Sequence, residues 1–334
     1  MRWIQNDSTD PYFNMALDDW CLQHLSCDET VFYLWRNRPS VIVGITQDVS
    51  AEVNLEYLRA HGIDLVRRST GGGAVYHDLQ NLNYSFVGKI RPAGEGGPDD
   101  GVALIAQALQ SFGVPAEVSG RNDIYVDGLK ISGYAKRVWR DRAIVHGTLM
   151  YDVDIDTLTR VLDTPQSKLH HKGVASVRSR VGNLRDLLPF ASLDSFRAAL
   201  QERFAAAPSA AAGAAVPSPT AATALPGGPA EPSAATGALL AGSAGECSAA
   251  ASDGRIVLSE ADLAEVRAIR DTKYLNPDWL AENLTTPQKS PQRAFYRKAM
   301  LAVVLREATP AIPSRGSHAS RSSPIEVGTV MCPT

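Results

Sequence analysis

The sequence predicts an α+β fold in which helices pack on a mostly antiparallel β-sheet. Two observations lead to this class. Short apolar segments typical of strands outnumber the helical segments, and most of them are separated by only a few turn residues. Strands joined by such short connections pair most readily as antiparallel neighbours, because a parallel pair needs a crossover of a dozen or more residues.

The elements can be justified in order along the chain. Asp10-Pro11 opens the first helix, because Asp is a good N-cap and Pro fits the first turn. The later helices begin at Asp, Asn or Ser, and two of them end at Gly. They are predicted over 54–62, 99–113, 154–162 and 192–200. Strands are predicted over 31–35, 40–44, 63–68, 74–78, 82–88, 116–120, 123–128, 129–137 and 143–151.

Composition divides the chain into four parts. Residues 1–204 alternate between helix and strand patterns and form the predicted folded body. Residues 205–253 consist almost entirely of Ala, Pro, Ser, Gly and Thr without an aromatic side chain, which predicts a disordered linker or insertion. A second structured piece is predicted over 254–305, and 306–334 is predicted to be a disordered polar tail.

Charge and cysteine content narrow the function classes. The formal net charge of −3 gives no electrostatic argument for nucleic-acid binding. The sequence contains no run of about 20 apolar residues, so it predicts no membrane span. The first residues show no apolar or Arg-rich leader, so we expect a cytoplasmic protein. The four cysteines form no CxxC pair and have no histidine at metal-binding spacing, which indicates reduced thiols.

A glycine-rich segment, RRSTGGGAVYHD at 67–78, lies between two predicted strands. Glycine has no Cβ, so the N–H groups of such a loop can approach an anionic or elongated ligand closely, and the two arginines add positive charge. A plain glycine-rich turn is the alternative. The chain contains no GxxxxGK[ST] pattern and this segment is not GxGxxG, so any nucleotide site here is of another kind.

A second segment, GRNDIYVDGLKISGYAKR at 120–137, contains a hairpin signal at Asp127-Gly128. The hairpin would place Asp123 and Lys130 on adjacent strands, where an oxygen ligand for Mg²⁺ and a cation for phosphate could face one cleft. A solvated hairpin with alternating charge is the alternative.

Two further segments are each open to two interpretations. His146 in VHGTLMYDVD lies between apolar strand residues, where a histidine is more often structural than catalytic. Arg178 and Arg180 in KGVASVRSRVGNL share one face of an extended segment, and are either surface charges or contacts to an acidic partner.

Taken in order, these four segments resemble the successive signatures of the lipoate–protein ligase A family. DPYFNMALDDW and VFYLWRNRPSVIVGITQD resemble its N-terminal region, so the resemblance runs from about residue 5 to 204. It implies the α+β catalytic domain of the biotin and lipoate protein ligase superfamily over 1–204, with 254–305 as the C-terminal helical part of that domain.

The resemblance implies a ligase that depends on ATP and Mg²⁺. Lipoate and ATP would give lipoyl-adenylate and pyrophosphate, and the lipoyl group would then pass to one lysine of a lipoyl domain. The implied acceptors are the glycine-cleavage H protein and the acyltransferase subunits of 2-oxoacid dehydrogenases. The adenylate is already activated, so no covalent enzyme intermediate is needed, and proximity and charge stabilisation carry most of the rate.

The matched motifs also imply roles for individual residues. Lys130 resembles the central catalytic lysine, whose ammonium can bind both the lipoate carboxylate and the α-phosphate. Asp123 would hold Mg²⁺ with support from Asn122. The implied contacts to nucleotide or lipoate are Arg68, Gly71, Gly72, Gly73, Ala74, Val75, Tyr76, His77, Asn122, Lys130 and Arg137.

Two departures from the family pattern raise further expectations. The usual HDLGN reads HDLQN here, and Gln80 would be strained if its turn required a positive φ. The accessory domain of the longer ligases is not recognisable after residue 305, so adenylate formation could require a separate accessory subunit.

Three other functions stay open at this point. An ATP-independent octanoyl or lipoyl transferase of the same superfamily would need a cysteine nucleophile, and Cys21 and Cys27 are the candidates outside the linker and the tail. A biotin ligase is less consistent with the paired segments RRSTGGGAVYHD and SVRSRV. A non-catalytic lipoate-binding protein would not need to keep Arg68, Asp123 and Lys130 together.

Overall fold

The computed structural model of the chain describes residues 1–119, 123–162, 181–206 and 254–281. Several sequence predictions therefore fall outside the described residues: most of the 205–253 linker or insertion, the end of the 254–305 piece, the 306–334 tail, Asn122, Arg178 and Arg180.

Helices and strands alternate along the described chain. The helices are α1 Pro11–His24, α2 Val49–Glu52, α3 Leu55–His61, α4 Gly101–Ser111, α5 Ile155–Val161, α6 Leu193–Ala206, α7 Glu260–Ile269 and α8 Pro277–Ala281, with a π-helical turn at Arg270–Tyr274. The strands are β1 Arg2–Ile4, β2 Val31–Trp35, β3 Ser40–Val43, β4 Asp64–Arg67, β5 Val75–His77, β6 Asn81–Lys89, β7 Glu117–Ser119, β8 Asp123–Val126, β9 Leu129–Trp139, β10 Arg142–Met150 and β11 Arg255–Ile256.

The strands form two sheets within the described residues. The larger sheet has eight strands in the order β11-β1-β2-β6-β10-β9-β8-β7. Its neighbours are antiparallel except around β1, which runs parallel to β2 and β11. The smaller sheet has the order β4-β3-β5, with β3 parallel to β4 and antiparallel to β5. The predicted α+β class with a mostly antiparallel sheet is confirmed.

The short connection between β2 and β3 does not form a hairpin. The two strands belong to different sheets, although only four residues separate them. The connection is tied to α1, because the side-chain amide of Asn14 donates to the carbonyl of Arg36 at 3.0 Å and to Oδ1 of Asn37 at 2.8 Å. This anchoring turns the chain from the larger sheet into the smaller one.

Helices cover both faces of the larger sheet. On one face, α4 and α6 enclose a core that includes Phe32, Phe86, Ile105 and Phe196. On the other face, α1 and α7 pack over the remaining side chains of β2 and β10. The Asp10 carboxylate accepts a hydrogen bond from the Tyr12 amide at 3.1 Å, so the predicted N-cap of α1 is confirmed. No described helix is long and apolar enough to cross a lipid bilayer.

The two turns that the sequence singled out behave differently. Asp127 and Gly128 have φ angles of 50° and 75°, as a two-residue hairpin turn requires, so the predicted hairpin is confirmed. Among the described non-glycine residues only Asp127 and Arg140 have a positive φ, so the expected strain at Gln80 is wrong. The Gln80 amide donates to Asp78 Oδ1 at 2.8 Å instead, in a turn that any residue can adopt.

Residues 254–281 pack into the same body as residues 1–206. β11 adds to the edge of the larger sheet beside β1, and the indole N–H of Trp20 in α1 donates to Glu265 in α7 at 2.8 Å. Nε and Nη2 of Arg67 donate to the carbonyl of Leu280 at 3.0 and 2.9 Å, and the Trp279 indole donates to the carbonyl of Arg67 at 2.9 Å. The segment thus closes over the end of β4.

Arg67→Lys should destabilise the protein by about 3 kcal/mol, because Arg67 is 1% exposed and its planar guanidinium donates in two directions at once. Besides Leu280, Nη1 reaches the carbonyls of Gly44 and Gln47 at 2.8 and 2.9 Å. Urea denaturation of the full chain measures the effect. The control is Arg160→Lys on the exposed side of α5, and a difference below about 1 kcal/mol between the two variants would contradict this role.

Candidate active site

The glycine-rich segment connects the two outer strands of the smaller sheet, β4 and β5, past the central strand β3. Arg68 lies inside this loop and is 6% exposed. Its Nη2 donates to the carbonyls of Gly71 and Gly73 at 2.6 and 2.8 Å, and its Nη1 donates to the carbonyl of Ile42 at 3.0 Å. Burial lowers the pKa of Arg68 to about 10, so the guanidinium still carries its charge at neutral pH. The guanidinium therefore shapes the loop from inside.

Two glycines are required where the loop meets the end of β3. Gly72 has a φ of 92°, and a Cβ on Gly44 would lie 2.2 Å from the carbonyl oxygen of Gly72. The backbones of these two residues therefore touch directly. A Cβ on Gly71, by contrast, would meet no atom within 4 Å. Part of the glycine run thus serves backbone packing, and Gly71 leaves an open surface above it.

A buried hydrogen-bond chain ties the loop to α1 and β10. Arg68 Nε donates to Thr70 Oγ1 at 2.9 Å, and Thr70 Oγ1 contacts His146 Nε2 at 2.8 Å. His146 Nδ1 contacts Asp18 Oδ2 at 2.6 Å, and Asp18 Oδ1 accepts from the Tyr33 hydroxyl at 2.6 Å. Nδ1 of His146 donates to Asp18, because a carboxylate oxygen can only accept.

This chain is not arranged as a hydrolase triad, although an aspartate, a histidine and a hydroxyl stand in order. Thr70 is 4% exposed and its oxygen is committed to Arg68, so it cannot attack a substrate. In the sequence His146 has no evident partner, and Asp18 was not among the predicted site residues. Two consecutive aspartates within the apolar pattern of the first helix were the signal that could have found it.

The neighbouring Asp19 binds side chains from the glycine loop, the C-terminal segment and β9. Its carboxylate accepts from Ser69 Oγ at 3.0 Å, from Lys273 Nζ at 2.6 Å and from Arg137 Nη1 at 3.0 Å. Lys273 Nζ also lies 4.2 Å from the ring centroid of Trp279. Arg137, an implied lipoate contact, is thus held by a carboxylate, and Lys273 is a cation near the loop that the sequence analysis missed.

Lys130 and Asp123 form an ion pair on the hairpin of β8 and β9, with Nζ and Oδ1 separated by 2.6 Å. Asp123 pairs with Gly133 in the strand register, whereas Tyr125 pairs with Lys130, so one residue of β9, Ile131, is unopposed. This β-bulge decides where Lys130 points. In a regular ladder Lys130 would face the opposite side of the sheet from Asp123, and the slip of one residue brings the two onto the same face.

His77 lies at the end of β5 and is neutral at physiological pH. Burial lowers its pKa to about 3, with the nearby Arg68 charge acting in the same direction. Nδ1 accepts from the Asn37 amide at 3.0 Å, so the ring proton resides on Nε2, which has no hydrogen-bonding partner among the described residues. Ala74 and Tyr76 are buried in the core of the smaller sheet and Val75 is half-buried.

The predicted site residues are divided between the two sheets. Lys130, Asp123 and Arg137 lie on the larger sheet, whereas Arg68 to His77 lie in the glycine loop and on β5 of the smaller sheet. The loop contacts the larger sheet through Thr70 and His146 of β10, with Lys130 on the adjacent strand β9 and Asp123 on β8 beyond it. Asn122 lies outside the described residues. The described residues contain no cluster of three His, Cys, Asp or Glu side chains that could hold a metal on its own.

Gly44→Ala should destabilise the chain by about 2 kcal/mol, because the added methyl group collides with the backbone of Gly72 and neither backbone can move aside cheaply. Gly71→Ala is the matched control in the same loop, since its methyl group meets open space. Thermal unfolding of both variants measures the difference. Equal melting temperatures would show that the close backbone approach does not fix the loop.

Known proteins resemble this chain in sequence and in fold. The family model "Lipoyl protein ligase A/B catalytic domain" matches residues 10–205. Lipoate-protein ligase LplJ of Bacillus subtilis is 42% identical over 198 residues, which cover 56% of this chain and 57% of that protein. Lipoate–protein ligase 1 of Staphylococcus aureus is 44% identical over 198 residues, which cover 56% of this chain and 58% of that protein.

The alignments thus span less than two thirds of each curated relative. The structure of a bi-partite lipoate protein ligase from Thermoplasma acidophilum superposes with a TM-score of 0.60 at 23% identity, covering 87% of this chain and 98% of that one, and so shares the fold. The family model covers more than half of the chain. The chain therefore belongs to the family of lipoyl protein ligase A/B catalytic domains.

Proposed function

We propose that the chain activates lipoate with ATP to lipoyl-AMP and transfers the lipoyl group to a lysine of a lipoyl-domain protein. One observation carries the proposal: the ammonium of Lys130 and the carboxylate of Asp123 lie beside each other on the sheet face that the glycine loop also meets. The names of the Bacillus and Staphylococcus relatives, both lipoate–protein ligases, support it.

The first step joins the lipoate carboxylate to the α-phosphorus of ATP and expels pyrophosphate. Both reactants are anions, so they must be held together against their repulsion. Lys130 is the cation placed for this task, because a single ammonium can contact the carboxylate and the α-phosphate at once. Gly71, Gly72 and Gly73 are half-buried beside the charged Arg68, and backbone without a Cβ can lie close to an anionic ligand there.

The second step moves the lipoyl group to an acceptor lysine. The ε-amine attacks the acyl carbon, the bond from that carbon to the phosphate oxygen breaks, and AMP leaves with both electrons. The amine nitrogen loses a proton as the amide forms. The mixed anhydride is already reactive, so the enzyme contributes mainly by orienting the two partners and by stabilising charge on the departing phosphate.

Asp123 is the described residue that fits a magnesium ion. Mg²⁺ in nucleotide sites is commonly held by one or two carboxylates together with substrate phosphates and water. Asp123 Oδ2 accepts from the Tyr125 hydroxyl at 3.1 Å, and with Asn122 beside it in sequence it supplies the oxygen ligands this mode needs. When bound, the ion would neutralise the phosphate charge. Asp123 as the metal ligand, supported by Asn122, stays a proposal.

The acceptor is proposed as a lipoyl domain, with the glycine-cleavage H protein and the 2-oxoacid dehydrogenase acyltransferase subunits as the candidates to test. A separate accessory subunit for the adenylation step belongs to the same proposal. The roles of Arg68, Gly71–Gly73, Ala74, Val75, Tyr76, His77 and Arg137 as nucleotide or lipoate contacts also remain proposals. Among these residues, Arg68 and Arg137 already bind other parts of the chain.

A cysteine-dependent transferase is less consistent with the structure. Cys21 is fully buried, and burial raises the pKa of its thiol far above the usual value. Cys27 is also buried, and both belong to the core under α1. A nucleophilic cysteine needs a lowered pKa and access to substrate. Cys21 meets neither condition and Cys27 is buried away from substrate, whereas Lys130 and Asp123 are partly exposed.

Lys130→Ala should lower ATP-dependent lipoylation at least about 100-fold, because the cation that joins the two anions is lost. The assay combines the purified chain, lipoate, MgATP and apo H protein, and reads the acceptor by mass spectrometry. Lys136→Ala is the control on the same strand, since Lys136 lies on the surface and pairs with Asp99. Acyl transfer without ATP that disappears in Cys21→Ala or Cys27→Ala would instead favour the transferase.

Pyrophosphate release without any acceptor isolates the first step. We expect the chain, given lipoate and MgATP, to release about one pyrophosphate per active site, because the acyl-adenylate then has no amine to attack it. A chain that releases none, yet transfers lipoyl groups from supplied lipoyl-AMP to apo H protein, would show that adenylation needs an accessory subunit. Lys130→Ala serves as the inactive reference both for pyrophosphate release and for transfer from lipoyl-AMP.

A further inference from the structure

Gly133 stands directly opposite Asp123 in the pairing of β8 and β9. An ideal Cβ built on Gly133 would lie 3.1 Å from Cε and 3.2 Å from Nζ of Lys130, and 3.8 Å from Asp123 Oδ1. The end of the Lys130 side chain therefore lies against the bare backbone of Gly133. In any other residue the Cβ would crowd the ammonium.

The conformation of Gly133 does not itself demand glycine. Gly133 is not among the described glycines with a positive φ, so alanine could adopt the same backbone without strain. A glycine in the middle of a strand weakens the strand, because it adds conformational entropy to the unfolded chain and packs no side chain. The absence of a Cβ compensates for this cost by leaving space for the end of the Lys130 side chain.

Neighbouring residues hold the backbone on both sides of the Lys130 ammonium. The Gly133 amide donates to Thr148 Oγ1 on β10 at 3.1 Å, which fixes the backbone on which the ammonium lies. The carbonyl of Lys130 accepts from the Gly182 amide at 3.0 Å, which fixes the backbone from which the lysine side chain extends. The bulge sets the direction of the Lys130 side chain. The two hydrogen bonds fix the backbone at Lys130 and at Gly133, where the side chain begins and where its ammonium lies.

We propose that Gly133 is a positioning residue for Lys130. The missing Cβ lets the ammonium lie across β9 next to Asp123. The inference rests on the proposed function for the catalytic role of Lys130. The contact between Lys130 and the backbone of Gly133 follows from the geometry of the described residues.

The kinetic test uses Gly133→Ala and Gly133→Val in the full chain. A methyl group displaces Nζ by a few tenths of an ångström and a branched side chain displaces it further. We expect kcat for lipoylation to fall about 10-fold in Gly133→Ala and about 100-fold in Gly133→Val, because small misplacements of a catalytic group are costly. KM for lipoate should change less than about threefold, since Lys130 acts mainly in the transition state.

A thermal double-mutant cycle separates positioning from plain destabilisation. In Lys130→Ala the atoms that crowd the new methyl group are gone, so adding Gly133→Ala should leave the melting temperature unchanged or raise it. In the unmodified chain the same substitution should be less favourable by roughly 2–4 °C. An equal change in both backgrounds would overturn the proposal, because it would show that Lys130 does not occupy this space.

Amine labelling gives a readout that needs no activity. Under limiting acetylation, Gly133→Val should increase labelling of Lys130 several-fold, because the ammonium can no longer reach Asp123. Lys136 provides the internal reference in the same digest, since its pairing with Asp99 is unaffected. Unchanged Lys130 labelling would also overturn the proposal. If the unmodified chain lipoylates no acceptor, either from lipoate with MgATP or from supplied lipoyl-AMP, the proposed function fails, whereas the cycle and the labelling still decide the role of Gly133.

Discussion

Two adjacent buried arginines hold this structure together around the end of β4. Successive residues of a strand point to opposite sides, so Arg67 and Arg68 serve two different neighbourhoods. Arg67 donates to the carbonyls of Gly44 and Leu280, and Arg68 donates to those of Gly71 and Gly73. A buried charge is tolerated only when its hydrogen-bonding groups are satisfied, and here backbone carbonyls satisfy them. The C-terminal segment and the glycine loop both depend on this pair.

The same logic extends to the consecutive aspartates of α1. Asp18 meets the loop through His146 and Thr70, whereas Asp19 meets the preceding loop residue, Ser69. Asp19 also binds Lys273, so the π-helical turn of the C-terminal segment contacts the loop through one carboxylate. A displacement of that segment would therefore also displace the glycine loop, although residues 79–253 separate the two in sequence.

The sequence predicted the local elements well where the signal is local. Asp10-Pro11 caps α1, and Asp127-Gly128 turns the hairpin, because each depends on the conformational preferences of one or two residues. The separation of β2 and β3 into two sheets was not predictable, because it depends on Asn14 of α1 binding the connection across 22 residues of sequence. The burial of both arginines was missed for the same reason. From the sequence, Arg67 and Arg68 were predicted to be charges beside a ligand, whereas in the structure they donate to backbone carbonyls.

The placement of Lys130 shows most clearly what a sequence pattern leaves out. Period-two alternation puts Lys130 and Gly133 on opposite faces of β9, yet the structure has them in contact. The bulge resolves the conflict, and its trace in the burial pattern is two consecutive buried residues, Ile131 and Ser132. In a regular strand Ile131 and Ser132 would point to opposite faces, and so would Lys130 and Gly133. The unopposed residue lets Ile131 and Ser132 both be buried while Lys130 and Gly133 share the face of Asp123. The core packing of Ile131 and the direction of the Lys130 side chain therefore depend on the same irregularity.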